Sequence, residues 1–159
     1  MANLKSQLAA IAILGLPIFI ATAVFGPAAF DLAFHRRPPE RYLLPAGFTG
    51  WVRVDYRQKN APPLPVEDGH RLYKFNEQGT IATSSDQFSG HGKDEFFYFS
   101  GAQRTPLSTA GVCKGGMIWQ PETLIDPRTS LPYARFFVGT EDQYRHEVDP
   151  QGKTSPNCG

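Results

Sequence analysis

The stretch FTGWVRVDYRQKNAPPLPVEDG, residues 48–69, decides the fold, because it opens as a β-strand and runs into a proline-rich tract. Apolar and polar residues alternate at its start, which is typical of a strand with one buried face. The side chains of one face are Phe48, Gly50, Val52, Val54 and Tyr56, and those of the other are Thr49, Trp51, Arg53 and Asp55. We expect the first face to point into the core.

The tract APPLP, residues 61–65, is either a docking peptide for a partner or a crossover between strands. Proline-rich ligands bind while extended and exposed, whereas this tract lies between two predicted strands. Proline cannot donate a hydrogen bond to a sheet, but it is common at strand edges and crossovers. The position favours a structural crossover.

Further short strands follow the tract at regular spacing, separated by turn residues such as Asp68-Gly69 and Glu77-Gln78-Gly79. The candidates are HRLYKF, the segment 80–83, EFFYFS, GGMIWQ and YARFFVGT. Thr140 followed by Gln143 has the spacing of a helical capping box. This arrangement predicts a mainly β fold, an antiparallel β-sandwich or an open barrel with a short C-terminal helix.

Charge and length limit the classes of function. The chain has 159 residues, enough for one domain and a tail, with 16 basic and 15 acidic side chains. A net charge of +1 provides no basic face for the phosphate backbone, so we predict no nucleic-acid partner.

The N-terminal segment 8–30, LAAIAILGLPIFIATAVFGPAAF, has no charged residue and is long enough to cross a bilayer as a helix. A cleaved signal peptide is the alternative, with Ala21-Thr22-Ala23 as the cleavage candidate. Cleavage there would leave an apolar N-terminus with no packing role. We therefore predict one N-terminal transmembrane helix, which would make the membrane itself a partner.

The predicted organisation has five parts. An N-terminal tail (1–7) precedes the anchor (8–30), a juxtamembrane linker rich in proline and arginine (31–40), a β domain (41–149) and a polar tail (150–159). Arg36, Arg37 and Arg41 follow the anchor, and the positive-inside rule taken literally would place the domain in the cytoplasm.

The two cysteines, Cys113 and Cys158, bear on the same question. Export would allow a disulfide between them, which would tie the polar tail to the domain and stabilise it by roughly 3–4 kcal/mol. A cytoplasmic domain would keep both as free thiols. Cys113 could also serve as a nucleophile with His91 or His146 as base, but it lies in a glycine-rich turn that offers nothing to form the thiolate.

Two surfaces are candidate sites. His91, Asp94 and Glu95, joined by His70 or His146, could ligate a divalent metal, although their spacing matches no metal motif and is typical of a solvated turn. Trp51, Arg53 and Asp55 would form a binding strip if they are exposed, because aromatic residues and arginine dominate binding hot spots. Trp51 could instead cover a second core layer.

The segments YLLPAGFTGWVRVDY, APPLPVEDG and FFVGTEDQYR, in this order, resemble an uncharacterised bacterial family known only as a domain of unknown function. Its members join an N-terminal signal, anchor or lipobox to such a domain, and this chain lacks the lipobox cysteine. The resemblance implies an exported domain of the cell envelope and brings no catalytic residues. The first part of the domain also resembles small prealbumin-like β-sandwiches.

These observations favour a membrane-tethered, extracytoplasmic β module without catalytic activity. Its domain would face the periplasm or the cell exterior, and its partner would be an envelope protein or polymer. The alternative is a small envelope enzyme or metal-binding domain that uses His91, Asp94 and Glu95. No cofactor is expected.

Overall fold

The computed structural model describes residues 37–90 and 92–150. By its internal contacts the chain divides into two units. Arg37 and residues 89–90 form the described part of the smaller unit, in which Arg37 Nε donates a hydrogen bond to Gly90 O at 3.1 Å. The larger unit contains every strand and the helix described below. Within the described residues, no helix has the length and apolar character needed to cross a membrane.

In the larger unit, the described residues form nine strands and one helix. They are β1 (Glu40–Pro45), β2 (Gly50–Asp55), β3 (Val66–Glu67), β4 (His70–Lys74), β5 (Thr80–Ala82), β6 (Glu95–Ser100), β7 (Gln103–Pro106), β8 (Ile118–Ile125), β9 (Pro132–Val138) and α1 (Glu141–Val148). The predicted anchor 8–30, linker residues 31–36 and the tail from 151 onward lie outside the described residues.

The strands form two mixed sheets that do not close into a barrel. One has five strands in the order β3-β4-β1-β6-β7, and the other has four in the order β5-β2-β9-β8. β1 is parallel to both of its neighbours, and β2 is parallel to β5. The prediction of a mainly β fold with a short C-terminal helix is confirmed. The prediction of purely antiparallel sheets is wrong, because long connections return β4, β5 and β6 in the direction of their partners.

The core lies between the two sheets and draws on both. Tyr42, Leu44, Tyr73 and Phe75 come from the five-stranded sheet. They meet residues of the four-stranded sheet that include Val52, Val54, Phe136 and Val138. Val52 and Val54 are fully buried, as the alternation in β2 predicted. Their neighbours Trp51, Arg53 and Asp55 must therefore lie on the opposite, outward face of the four-stranded sheet.

The proline tract forms no strand and connects β2 to the hairpin of β3 and β4. Leu64 within it is buried in the core, and its backbone N donates to Ser85 Oγ at 2.9 Å. A buried anchor in the middle of the tract agrees with a crossover, because a docking peptide needs the apolar residue exposed.

Candidate functional site

The outward face of the four-stranded sheet brings the predicted binding residues together with residues of β9. In the β2–β9 register, Trp51 lies opposite Phe137, Arg53 opposite Arg135, and Asp55 opposite Tyr133. Residues paired across antiparallel strands project from the same face of the sheet. We call Trp51, Arg135, Arg53 and Tyr133 the arginine–aromatic strip.

Helix α1 covers one end of this face with Tyr144. The Tyr144 ring stacks on Trp119 with ring centroids 5.6 Å apart. Its centroid also lies 5.5 Å from that of Phe137 and 6.5 Å from that of Trp51. Trp119 and Phe137 are buried, and Trp119 Nε1 donates to Gly139 O at 2.8 Å. This end of the face is thus a small second core layer, and Trp51 lies at its border, half-buried.

The helix begins where the sequence predicted. Thr140 is the N-cap, its side chain accepts from Gln143 N, and the Gln143 side chain accepts from Thr140 N, so the capping box is complete. The first turn also holds Glu141, whose carboxylate pairs with Arg145 and accepts from Cys113 N at 2.6 Å. The Arg145 guanidinium and then the Cys113 N–H lower the pKa of Glu141.

Arg53 occupies the centre of the strip and holds two carboxylates. Its Nη2 lies 2.7 Å from Asp55 Oδ1 and 2.8 Å from Asp126 Oδ2. The Arg53 guanidinium carbon lies 3.9 Å from the centroid of the Tyr133 ring. The hydrogen bond to Asp55 raises the pKa of Arg53. The pKa of Asp126 is lowered by the backbone N–H of Arg128 and by Arg53.

Arg135 repeats this arrangement one strand away. Its guanidinium carbon lies 4.9 Å from the centroid of the Trp51 ring, and its Nε binds Glu122 of β8. The side chains of Arg53 and Arg135 keep 38% and 42% of their surface exposed. A planar guanidinium that rests on a ring and reaches solvent can still accept a partner on its open face.

Sequence reasoning identified Trp51, Arg53 and Asp55 but missed Arg135, Tyr133, Glu122 and Asp126. The alternation of YARFF in β9 would have placed Tyr133 and Arg135 on one face. Glu122 follows a register shift between Trp119 and Glu122, where Gln120 has φ 48°, and that irregularity is invisible to a period-two pattern.

A second polar cluster lies inside the fold. Glu40 Oε1 accepts from Tyr73 OH at 2.7 Å and lies 3.1 Å from Arg71 Nη2, while Glu40 Oε2 accepts from Tyr42 OH at 2.7 Å. We call Glu40, Tyr42, Arg71 and Tyr73 the buried Glu40 cluster, since each is at most 9% exposed. Phe88 covers it, with its ring centroid 4.3 Å from the Arg71 guanidinium carbon.

The predicted metal ligands are partly dispersed. Glu95 Oε2 accepts from Arg41 Nε at 2.9 Å and lies 3.7 Å from His70 Nε2. Asp94 precedes β6, and His146 lies exposed on α1. His91 lies outside the described residues, and among those described no three His, Cys, Asp or Glu side chains form a group that could hold a metal ion. A metal site that includes His91 stays a prediction.

Cys113 lies in an exposed turn with φ 59°, between β7 and β8. The part of the chain that the structure describes contains no free cysteine. Cys158 lies outside it, so the pairing of Cys113 with Cys158 stays a prediction.

Comparison with known proteins gives a fold and a family. A crystal structure of a candidate lipoprotein from Bacillus anthracis superposes with a TM-score of 0.53 at 22% identity, covering 74% of this chain and 80% of the other. At that identity the similarity shows the fold alone. No curated protein matches the sequence. A model of the family of unknown function DUF6843 matches residues 36–151, which confirms the resemblance drawn from the sequence: the chain belongs to this family.

Proposed function

We propose that the protein is a binding module of the cell envelope and that the arginine–aromatic strip contacts its ligand, an envelope protein or polymer. The observation that carries this proposal is the pair of half-exposed guanidinium groups stacked on Trp51 and Tyr133. Tryptophan, tyrosine and arginine are the residues most enriched in binding hot spots. Stacking also fixes these side chains in advance, which lowers the entropic cost of binding.

An envelope location is supported by two considerations. The uncharged segment 8–30 is long enough to anchor the domain in a membrane. The similar fold from Bacillus anthracis belongs to a candidate lipoprotein. We infer a tethered domain that faces the periplasm or the cell exterior.

Site-specific photo-crosslinking of the full chain in its native cells tests the strip. A benzophenone amino acid at Thr80 lies beside Arg53 in the β2–β5 register, on the same face. The matched control position is Gln103, exposed in β7 at the edge of the other sheet. We expect adducts from Thr80 that disappear when Arg53 and Arg135 are both changed to glutamine. Equal adducts from both positions, or none from Thr80, would count against the proposal.

A separate measurement tests the location. Protease added to intact cells or spheroplasts should digest the domain while the membrane stays sealed. Resistance until the membrane is lysed would place the domain in the cytoplasm and make the arginines that follow segment 8–30 the better guide to its orientation.

A further inference from the structure

A cavity of about 520 Å³ opens beyond the end of the arginine–aromatic strip. Ala82 of its wall lies opposite Asp55 in the β2–β5 register, and Leu131 directly precedes β9. The remaining lining residues belong to the turn after β2, so that the full set is Arg57, Gln58, Lys59, Asn60, Ala61, Ala82 and Leu131. Sites for small molecules have volumes of roughly 300–1,000 Å³, so the cavity is large enough for one.

The lining combines positive charge with an apolar wall. Arg57 and Lys59 bring two cations, and Gln58 and Asn60 bring amide groups. Ala61, Ala82 and Leu131 provide the apolar part, and none of the described lining residues is acidic. Such a lining attracts an anion and offers apolar surface to an apolar portion of the same molecule.

Arg57 already holds a carboxylate at the rim of this cavity. Its Nε lies 2.6 Å from Asp86 Oδ1, in a pair whose side chains are 58% and 65% exposed. An ion pair this exposed contributes little to stability, so a ligand carboxylate can replace that of Asp86. Lys59, two residues away, lines the same cavity and forms no ion pair with the described part of the chain.

Backbone contacts fix the shape of the turn before any ligand arrives. Arg57 adopts φ 57°, its N donates to Ser85 O at 3.2 Å, and Gln58 N donates to Thr83 O at 2.9 Å. The side-chain Nε2 of Gln58 also donates to Tyr56 O at 3.1 Å, and the proline tract begins at Ala61. A site held in place by its own backbone loses little entropy on binding.

We propose that this cavity binds a small organic carboxylate of about dipeptide size, with the carboxylate between Arg57 and Lys59 and the apolar portion against Ala82 and Leu131. This site is separate from the arginine–aromatic strip and goes beyond the function proposed above. Arginine and lysine both bind carboxylates through charge-assisted hydrogen bonds, which are about twice as strong as neutral ones. The Asp86 side chain acts as an internal competitor.

Calorimetric titration of the full chain in detergent micelles tests the site with three probes. They are N-acetyl-Ala-Ala as the free carboxylate, the same compound as its C-terminal amide, and inorganic phosphate. We expect saturable binding of the carboxylate, weakened by added salt, and at least about tenfold weaker binding of the amide. Equal binding of carboxylate and amide, saturation by phosphate alone, or no binding of the carboxylate would overturn the proposal.

Three variants, two of them with effects of opposite sign, sharpen the test. Lys59→Gln should weaken carboxylate binding about tenfold, the value of one charge-assisted contact, while Lys59→Arg should retain it. Asp86→Asn should strengthen binding several-fold, because the competing charge is removed. The matched control is Lys114→Gln, an exposed lysine in the turn before β8. No change in Lys59→Gln, or weaker binding in Asp86→Asn, contradicts the assignment.

These outcomes are independent of the strip. Lys59→Gln should leave the crosslinks from Thr80 unchanged, and changing Arg53 and Arg135 to glutamine should leave carboxylate binding unchanged. Failure of one proposal is therefore distinguishable from failure of the other.

Discussion

Arg71 and Arg53 use the same chemistry in opposite surroundings. Arg71 pairs with Glu40 at 3.1 Å and lies 4.3 Å from the Phe88 ring centroid, with 9% of its side chain exposed. Arg53 pairs with Asp55 at 2.7 Å and lies 3.9 Å from the Tyr133 ring centroid, with 38% exposed. Each guanidinium thus pairs with a carboxylate and stacks on an aromatic ring, and Arg53 pairs with a second carboxylate, that of Asp126.

The difference in burial changes what each arrangement can do. Inside the fold, a charge left without its partner cannot be hydrated, so the buried Glu40 cluster fixes β1 against β4 within the five-stranded sheet. On the outward face, water replaces a lost partner at little cost, so the arginine–aromatic strip can exchange contacts with a ligand. The first arrangement should therefore dominate stability and the second should dominate binding.

Arg71→Met should give the largest effect. Removing the guanidinium leaves Glu40 buried without its counter-charge, and we expect a loss of about 3–5 kcal/mol in the free energy of unfolding, measured by urea denaturation. The matched variant Arg53→Met should lose less than about 1 kcal/mol. The double variant Glu40→Leu/Arg71→Met should recover part of the loss, because it leaves no unpaired charge. Equal losses at Arg71 and Arg53 would remove the contrast between the two sites.

Alkaline pH should destabilise the fold through the same buried Glu40 cluster. Burial, together with the nearby Glu40 carboxylate, raises the pKa of Tyr42, and burial also raises the pKa of Tyr73. A tyrosine whose pKa is higher in the folded state than in the unfolded state contributes to the stability of the fold. This contribution is complete below the unfolded pKa of about 10. Above that pH the unfolded chain releases protons that the folded protein keeps, so stability falls, by up to about 1.4 kcal/mol per pH unit for each tyrosine.

Urea denaturation from pH 8 to 11.5, followed together with tyrosinate absorbance at 295 nm, measures this effect. Tyr42 and Tyr73 should ionise only as the protein unfolds. Complete ionisation of all six tyrosines near pH 10 in a protein that is still folded would contradict it.

The buried Glu40 cluster also shows where sequence reasoning stops. The alternation in β2 and the capping box of α1 depend on residues a few positions apart, and both were predicted. β1 was not predicted as a strand. Leu43 faces away from the core and is nevertheless only 4% exposed. A strand that is covered on both faces shows no alternation of apolar and polar residues in its sequence. Glu40 and Arg71 are 31 positions apart, and only the parallel pairing of β1 with β4 places them opposite each other.

The residues of the arginine–aromatic strip that lie on β2 were predicted, and those on β9 were not. Trp51, Arg53 and Asp55 share one strand, so their common face follows from period-two spacing. Arg135 and Tyr133 join them through the β2–β9 register, and Asp126 through a turn that ends at β9. A single sequence does not specify which strands are neighbours, so the charge balance of the face becomes visible only with the fold.

Tyr144→Ala should have an intermediate effect. Tyr144 stacks on Trp119 and contacts Phe137 and Trp51, and its OH donates to Gln120 Oε1 at 2.6 Å. Loss of this half-buried ring should cost about 2 kcal/mol in the free energy of unfolding, less than Arg71→Met. Both tryptophans of the chain lie beside Tyr144, so the near-UV circular dichroism spectrum should change in Tyr144→Ala.

Tyr144→Phe is the control, because it keeps the ring and removes only the hydroxyl. It should cost about 1 kcal/mol at most in the free energy of unfolding. A loss as large as that of Tyr144→Ala would assign the effect to the hydroxyl.

Arg135→Gln should have the smallest effect on stability and thereby separates folding from binding. Its guanidinium stacks on Trp51 and pairs with Glu122, but 42% of the side chain is exposed, so we expect a loss below about 1 kcal/mol in urea denaturation. Crosslinking from Thr80 should nevertheless decrease, because a half-exposed stacked arginine contributes little to the free protein and much to a complex that dehydrates it. A loss comparable to that of Arg71→Met, with crosslinking unchanged, would instead make the arginine–aromatic strip an outer support of the sheet and leave the ligand surface to be found elsewhere on the domain.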